Sequence, residues 1–263
     1  NMGVAEQNMI GNAAGLALSG MKPYVYSIVP FATMRCFEQI RNDICYQNVD
    51  VKIVGTGGGL AYGNLGPTHH AREDIAIMRA LPNMTIACPC DPIETELLVK
   101  ESLKLNSPLY LRLGRGNEPI VHKEKPNLRI GKGVTLRHGN DVAIIATGNI
   151  VNNALTAAGL LAEKSINARV ISMHTVKPLD KEIVLKAVNE TKAIFTVEEH
   201  SIIGGLGSAV SEVLAENSSK ILFKRVGLKD AFEKVVGSHE YLRKVNNLDS
   251  ESITDFIFRT CKA

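Results

Sequence analysis

Short apolar runs that alternate with segments of helical period constrain the fold of this chain more than any other feature. Four runs rich in Val, Ile or Leu follow one another up to residue 113: VYSIV, VKIVG, MTIAC and LYLRL. Apolar residues recur at helical spacing over residues 4–19, 34–47, 72–80 and 91–105. This alternation is typical of βαβ units, and it predicts a mainly parallel sheet covered by helices on both faces.

A second alternation follows a polar stretch that contains Pro and Lys at residues 119–132, which we interpret as a linker. Its apolar runs are DVAIIATG, ARVISM, AIFTVEE and ILFKRVGL. Helices are predicted up to about Lys164, up to about Asn189, from Gly207, and at the C-terminus around Ile253 and Phe256. The sequence therefore predicts two three-layer α/β domains with mainly parallel sheets, residues 1–118 and 133–263.

Composition narrows the functional classes. The 263 residues are 45% hydrophobic with a mean hydropathy of +0.03, which predicts a globular chain able to bury a core. The net charge of +3 and the lack of basic runs with interleaved aromatics predict neither a nucleic-acid nor a membrane partner. No apolar run reaches the roughly 18 residues that span a bilayer, and no signal peptide is recognisable, so we expect a cytoplasmic protein.

Cysteine usage gives no sign of disulfides or metal binding. The chain has five cysteines, an odd number, and Cys88 and Cys90 are separated by one residue rather than by the two of redox and zinc pairs. We therefore predict reduced thiols and no metal ligands on this chain.

A glycine-rich loop carries the first candidate site. Six glycines between Gly55 and Gly66 precede the sequence Pro-Thr-His-His, and a backbone so poor in side chains lets a large ligand approach closely. An ordinary glycine-rich turn with two surface histidines explains the same pattern. Glu6, at the start of the first helix, is likewise open to two interpretations, because helix dipoles favour acidic residues there without any catalytic role.

Five motifs in order resolve these ambiguities. GVAEQ is followed by VPFATMRCFEQIR, the GPTHH loop, ALPNMT and LYLRLGRGN, and then by MHTVKPLD and VEEHSIIGGLGSAV in the second half. Over nearly its whole length the chain resembles the pyrimidine-binding and C-terminal domains of the transketolase family of thiamine diphosphate enzymes. That family's pyrimidine-binding domain begins upstream of the position matching Asn1, so we expect its first strand and helix to be missing here.

The resemblance implies roles for particular residues. Glu6 matches the glutamate that hydrogen-bonds a ring nitrogen of the cofactor's aminopyrimidine, for which its carboxyl should be shielded and protonated. Phe31 matches the aromatic ring that stacks on the aminopyrimidine, although a shift of one position would select Ala32; Ile28 would also line the cofactor. A core phenylalanine is the alternative for Phe31.

Two basic groups are implied as substrate ligands. His69 matches the catalytic histidine of the GPTH motif, which reaches the donor's oxygens and moves protons during carbon–carbon bond cleavage. His70 would line the site, or would be an exposed bystander. Arg115 matches an arginine that binds substrate phosphate, with a solvated strand-end arginine as the alternative.

Departures from the family pattern predict altered substrate recognition. Asn64 and Leu65 stand where transketolases carry acidic residues, and a leucine cannot accept a hydrogen bond from a substrate hydroxyl. Gly57 and Gly58 stand where relatives place a phosphate-contacting histidine or an arginine. We therefore expect a retained thiamine mechanism with a non-standard acceptor.

The chain also has no counterpart of the Gly-Asp-Gly motif and asparagine with which the family anchors Mg²⁺ and the cofactor diphosphate. The resemblance thus implies the C-terminal subunit of a split transketolase. A separately encoded N-terminal subunit would bind the diphosphate and Mg²⁺ in an α2β2 assembly, and the substrate would be a phosphorylated sugar.

Several alternatives stay open. The chain could belong to a 1-deoxyxylulose-5-phosphate synthase-like enzyme using pyruvate, to the β subunit of a 2-oxoacid dehydrogenase, or to a non-catalytic assembly subunit. GGLGSAV near residue 205 lacks the spacing of a dinucleotide-binding motif. Glu198, Glu199 and His200 are consecutive, so we expect a solvated strand end there rather than a metal site.

Overall fold

A computed structural model describes residues 1–262 of the protein as two α/β domains, each built on a five-stranded, mainly parallel sheet. The first sheet has the spatial order β1-β2-β4-β3-β8, and its strands are Tyr24–Ile28 (β1), Lys52–Thr56 (β2), Thr85–Ala87 (β3), Leu109–Arg112 (β4) and Thr175–Lys177 (β8). Strands β1 to β4 are parallel to their neighbours, and β8 pairs antiparallel with β3.

The second sheet has the order β10-β9-β6-β7-β5. Its strands are Val134–Arg137 (β5), Val142–Thr147 (β6), Ala168–Ser172 (β7), Ala193–Ser201 (β9) and Leu222–Leu228 (β10). All pairs are parallel except β5 with β7. The predicted fold class, two α/β domains with mainly parallel sheets, is confirmed.

Ten α-helices cover the two sheets within residues 1–262: Glu6–Leu18 (α1), Val29–Thr33 (α2), Phe37–Gln39 (α3), Asp74–Arg79 (α4), Pro92–Ser102 (α5), Val151–Glu163 (α6), Lys181–Glu190 (α7), Leu206–Glu216 (α8), His239–Val245 (α9) and Ser250–Lys262 (α10). Side-chain caps stabilise the first turn of several of these helices. The Asp91 side chain accepts a hydrogen bond from the Glu94 N–H, and Pro92 occupies the first turn of α5. Asp180 and Ser238 cap α7 and α9 in the same way.

The helix predicted over residues 34–47 is wrong in its start and its continuity. Pro30, whose fixed φ suits the first turn of a helix, lets α2 begin at Val29. A turn then separates α2 from α3, and the segment Ile40–Cys45 continues as a π-helix. This early start brings Phe31 onto a helix that directly follows β1.

Three elements were not predicted: β5, β8 and α9. Strand β8 comes from the second half of the chain but adds to the first sheet, where Val176 joins the core around Ile53 and Ile86. The segment between β4 and β5, which includes the linker predicted at residues 119–132, contains no helix or strand. The two predicted domains are thus connected both by this segment and by β8, a strand that the second half of the chain adds to the first sheet.

Candidate functional site

Glu6 is the first residue of α1 and is 7% exposed. Its Oε1 accepts a hydrogen bond from the Ser27 hydroxyl at 3.1 Å, and its Oε2 accepts one from Arg35 Nη1 at 2.8 Å. Burial raises the pKa of the Glu6 carboxyl, but the Arg35 and Ser27 hydrogen bonds and the Arg35 charge outweigh it, so the pKa lies below its ordinary value. This direction is opposite to the protonated carboxyl that the resemblance implies, because the Arg35 guanidinium donates to Glu6, a contact that the motif alone does not indicate.

Phe31 lies half-buried on α2, one turn before Arg35. The Arg35 guanidinium carbon is 4.3 Å from the Phe31 ring centroid, and the His69 ring meets Phe31 edge-on with centroids 5.2 Å apart. Ala32 is fully buried, so a cofactor ring could not stack on it. Ile28 ends β1 directly before α2 and is also half-buried.

The glycine-rich loop is closed at its base by two hydrogen bonds. Gly59 N–H donates to the Ala71 carbonyl at 3.0 Å, and Ala71 N–H donates to the Gly59 carbonyl at 2.8 Å. Between them the chain projects His69, which is half-buried and has Nδ1 3.0 Å from the Thr68 hydroxyl. The geometry thus places the histidine in edge-on contact with Phe31, so His69 is a packed, half-buried group rather than a free surface one.

His70 points away from this arrangement into the protein. It is 2% exposed, neither ring nitrogen has a hydrogen-bond partner among the described residues, and burial lowers its pKa. The alternative of an exposed bystander is therefore wrong.

Arg115 is exposed just beyond the end of β4. Its guanidinium carbon is 5.2 Å from the ring centroid of Tyr62, and the Tyr62 ring in turn lies 6.4 Å from that of His69. Consecutive contacts thus join six side chains, which we call the site row: Glu6, Arg35, Phe31, His69, Tyr62 and Arg115. Arg35 and Tyr62 were not singled out from the sequence.

Two crevices of about 510 and 560 Å³ flank Arg115 and share residues 115–118. The first is also lined by Asn64 from the glycine-rich loop and by His239 and Arg243 from α9 in the second domain. The second is lined by Tyr26, Thr56 and residues at the start of α5. The exposed end of the site row therefore opens onto space large enough for a small polar ligand.

A second group of charges lies directly behind the glycine-rich loop. Arg112, 4% exposed, donates through Nε to Asp74 Oδ2 at 2.7 Å and through Nη2 to the carbonyls of Ala71 and Glu199. Tyr110 donates to the same Asp74 oxygen at 2.7 Å. We call Asp74, Tyr110, Arg112 and Glu199 the buried charge cluster.

Glu199 connects this cluster to the second domain. Its Oε1 accepts hydrogen bonds from the Leu60 N–H at 2.6 Å and from His239 Nε2 at 2.7 Å, and its Oε2 accepts one from Arg243 Nε at 2.5 Å. Burial raises the pKa of the Glu199 carboxyl, but the charges of Arg243 and His239 and the hydrogen bond from His239 lower it by more than this. The pKa of Glu199 therefore lies well below its ordinary range. The carboxylate thus holds the loop against α9.

The prediction of a solvated strand end at residues 198–200 is wrong. Glu198, Glu199 and His200 are each at most 1% exposed, because β9 lies between β10 and β6 in the second sheet and is buried along all nine residues. Glu198 accepts hydrogen bonds from the N–H groups of Leu206 and Gly207 at the start of α8, and burial raises its pKa to about 7. The short apolar segment Ala193–Phe195 before VEEHS gave no sign that burial would continue to the end of the strand.

Cys90, Asp91 and His122 bring potential metal-ligand atoms within 4.8 Å of one another. The Asp91 carboxylate already accepts hydrogen bonds from the N–H groups of Glu94, Val121 and His122, and His122 Nε2 lies 2.9 Å from Glu94. These contacts fasten the segment after β4 to α5. The predicted linker is therefore held at one point by buried polar groups.

None of the helices in residues 1–262 is both long enough and apolar enough to cross a lipid bilayer.

Comparison with known proteins gives matches along almost the whole chain. The family model described as the transketolase pyrimidine-binding domain matches residues 1–120, and that of the transketolase C-terminal domain matches residues 131–253. A putative transketolase C-terminal section from Methanocaldococcus jannaschii is 43% identical over 264 residues, which cover 100% of this chain and 82% of that protein.

Two further matches come from split enzymes. One of the subunits of apulose-4-phosphate transketolase from Phocaeicola vulgatus is 44% identical over 254 residues, covering 95% of this chain and 80% of that protein. A solved structure of a split-gene transketolase, described as an inactive beta4 tetramer, superposes with a TM-score of 0.92 at 40% identity, covering 100% of this chain and 84% of that one.

Proposed function

Because the chain belongs to the transketolase family, we propose that it is the C-terminal subunit of a split, thiamine diphosphate-dependent enzyme that transfers a two-carbon ketol unit between sugars. The observation that carries this proposal is the site row, in which a buried carboxylate, an accessible aromatic ring, a histidine and an exposed arginine follow one another. These are the groups needed to hold a nitrogen heterocycle at one end and an anionic sugar at the other.

The residues at the Glu6 end fit the pyrimidine ring of the coenzyme. A carboxyl group that is 7% exposed can share a hydrogen bond with a ring nitrogen, and the half-buried ring of Phe31 offers an aromatic face beside it. Thiamine diphosphate, when bound, supplies the carbanion nucleophile that enzymes of this kind use. Glu6, Ile28 and Phe31 would hold its pyrimidine, while the diphosphate and Mg²⁺ would be held by the partner subunit.

Glu6 has to share or donate a proton to act on that nitrogen, and Arg35 opposes this by favouring the ionised carboxylate. The Arg35 side chain is 42% exposed, and among residues 1–262 its guanidinium is held by the ion pair with Glu6 and by the Phe31 ring. We propose that cofactor binding moves this guanidinium off the Phe31 ring, which raises the Glu6 pKa towards the value that proton transfer requires.

His69 would act on the reacting sugar. Its imidazole lies beside Phe31, and with one nitrogen near the Thr68 hydroxyl the other can accept a proton from a donor hydroxyl during carbon–carbon bond cleavage. Arg115 would bind the phosphate group of the sugar, a role that suits an exposed guanidinium at the mouth of two crevices.

The identity of the acceptor would differ from that of ordinary transketolases. Leu65 is exposed near the loop tip and cannot accept a hydrogen bond. A side chain at Gly58 would collide with Arg112, and one at Gly57 with Tyr62, so neither position can present a phosphate ligand. These features favour a sugar phosphate whose recognition does not depend on those groups.

A separately encoded N-terminal subunit would complete the enzyme in an α2β2 assembly. The support is that relatives of this chain are named as a C-terminal section or as one subunit of a transketolase, and that the solved split-gene homologue is described as an inactive tetramer of β chains. Activity would then arise only when both subunits are present.

The proposal is tested by reconstituting the chain with a separately encoded N-terminal transketolase subunit, thiamine diphosphate and Mg²⁺, and by assaying a panel of ketose phosphates, pyruvate and aldose phosphates. We expect ketol transfer, and we expect Glu6→Gln to lower kcat by a factor of about 10² to 10⁴, because the amide cannot exchange a proton with the ring nitrogen. Glu38→Gln, which alters an exposed carboxylate on α3, is the matched control and should retain activity.

Each failure points to a different alternative. Decarboxylation of pyruvate without ketol transfer would replace the proposal by a synthase of the 1-deoxyxylulose-5-phosphate type. Full activity of Glu6→Gln would show that the chain serves the assembly without contributing the catalytic carboxyl. Efficient turnover of xylulose 5-phosphate with ribose 5-phosphate would refute the altered acceptor.

A further inference from the structure

Tyr62 lies in the middle of the site row, yet the proposed function gives it no role. The Arg115 guanidinium carbon is 5.2 Å from its ring centroid on one side, and the His69 ring is 6.4 Å away at an interplanar angle of 66° on the other. The side chain is half-buried, so part of the ring faces the space around the loop. Tyr62 is therefore the only described side chain that contacts both the arginine and the histidine through aromatic or cation–π geometry.

The backbone at Gly57 leaves the space that the Tyr62 ring occupies. A Cβ atom added at Gly57 would lie 2.1 Å from a Tyr62 ring carbon, so the ring occupies the space that any side chain at position 57 would need. Gly57 also has a φ of +82°, which other residues adopt only with strain. The glycine and the tyrosine thus form a complementary pair, which fixes the ring against the strand end rather than leaving it on a mobile loop.

A fixed ring restricts the arginine. Arg115 is exposed and follows the end of β4, and its long side chain has many rotamers of similar energy. Attraction between the guanidinium and the face of Tyr62 favours those rotamers in which the positive charge stays beside the ring that also contacts His69. The ring thereby reduces the entropy that Arg115 loses when it binds an anion.

We propose that Tyr62 is a positioning residue for phosphate monoesters: it holds Arg115 at a set separation from His69, so that a sugar phosphate bound by the guanidinium presents its carbon chain to the imidazole. This inference rests on the proposed function, which it deepens by assigning the selection of phosphorylated over unphosphorylated sugars to an aromatic ring. The phenol hydroxyl is not required for it.

The first test measures binding and needs no turnover. The full chain is titrated with xylulose 5-phosphate and with xylulose, and the His69 imidazole resonances are followed by NMR. We expect Tyr62→Leu to weaken xylulose 5-phosphate binding about tenfold, and Tyr62→Phe to bind within twofold of the wild type, because it keeps the ring. Tyr46→Leu removes an exposed tyrosine outside the site row and serves as the matched control.

The second test uses the reconstituted assembly and separates positioning from a general loss of structure. Tyr62→Leu should raise KM for a phosphorylated substrate about tenfold with kcat within twofold, and should leave KM for unphosphorylated hydroxypyruvate unchanged. Combining it with Arg115→Gln should add no further loss, since both changes act through the same guanidinium.

Equal effects on phosphorylated and unphosphorylated substrates, wild-type binding by Tyr62→Leu, or no binding of xylulose 5-phosphate by any form would each overturn the inference. The two proposals fail separately. If the assembly shows no ketol transfer, the proposed function is refuted, and the NMR titration still tests the role of Tyr62. If the assembly is active and its KM for the phosphorylated substrate is unchanged by Tyr62→Leu, only the positioning role of Tyr62 is refuted.

Discussion

Arg112 and Arg115 are three residues apart at the end of β4, yet their guanidinium groups lie in opposite environments. Arg112 is 4% exposed and donates to one carboxylate and two carbonyl groups. Arg115 is exposed, and within residues 1–262 its guanidinium has an aromatic face as its one partner and no hydrogen bond. The same contrast holds between the buried charge cluster and the site row to which these arginines belong. Buried polar groups whose donors and acceptors are all paired within the protein stabilise the fold, whereas groups with unpaired donors or acceptors can still bind a ligand.

Substituting each arginine by methionine should give the largest difference between the two regions. Arg112→Met leaves the Asp74 carboxylate buried without its cationic partner, and we expect a loss of about 3–5 kcal/mol in the free energy of unfolding. Arg115→Met removes an exposed group and should change that free energy by no more than about 0.5 kcal/mol. Urea unfolding followed by circular dichroism measures both, and similar losses in the two variants would remove the basis of the comparison.

A second prediction concerns the contact of the buried charge cluster with α9. Glu199→Gln weakens the acceptors of Leu60, His239 and Arg243, and we expect a loss of about 1–3 kcal/mol at neutral pH. Because the folded-state pKa of Glu199 is lowered, its contribution is present above the unfolded value near 4.5 and is lost as the pH falls through the folded pKa.

The wild type should therefore lose its advantage over Glu199→Gln progressively on acidification below about pH 4.5, as measured by urea unfolding across a pH series. Glu163→Gln, which changes an exposed carboxylate on α6, should track the wild type throughout. A wild-type advantage that grew on acidification would mean that the Glu199 carboxyl is protonated in the folded protein.

The two regions also differ in how far the sequence predicts them. The two mainly parallel sheets follow from the alternation of apolar runs and helical periods, and the shared site of Glu6, Phe31 and His69 is what the family resemblance implies. Strand β8 and the contacts of Glu199 were missed because they join segments far apart in the chain, 139 residues in the case of the bond from Leu60 to Glu199. A pattern of consecutive charged residues carries no information on which distant donors will satisfy them.

Arg35 shows the same limit inside the site row. Its position one turn after Phe31 could be seen, but not that its guanidinium would reach back across Phe31 to Glu6 and reverse the expected pKa shift. Tyr62 was missed for a related reason, because its contact with Arg115 depends on the curvature of the glycine-rich loop.

The smallest expected effect comes from removing Arg35. The Arg35 side chain is 42% exposed, so Arg35→Ala should cost less than about 1 kcal/mol of stability, as is usual for a solvent-accessible ion pair. The pKa of Glu6 should nevertheless rise, because the hydrogen bond and the charge of Arg35 no longer oppose burial, and only the backbone and Ser27 hydrogen bonds still do so. An NMR titration of the ¹³C-labelled Glu6 carboxyl measures this, with Arg41→Ala as the control for loss of an exposed arginine. If the Glu6 pKa stayed low, the site row would be as fully satisfied as the buried charge cluster, and Arg35 would not be the group that sets the ionisation of Glu6.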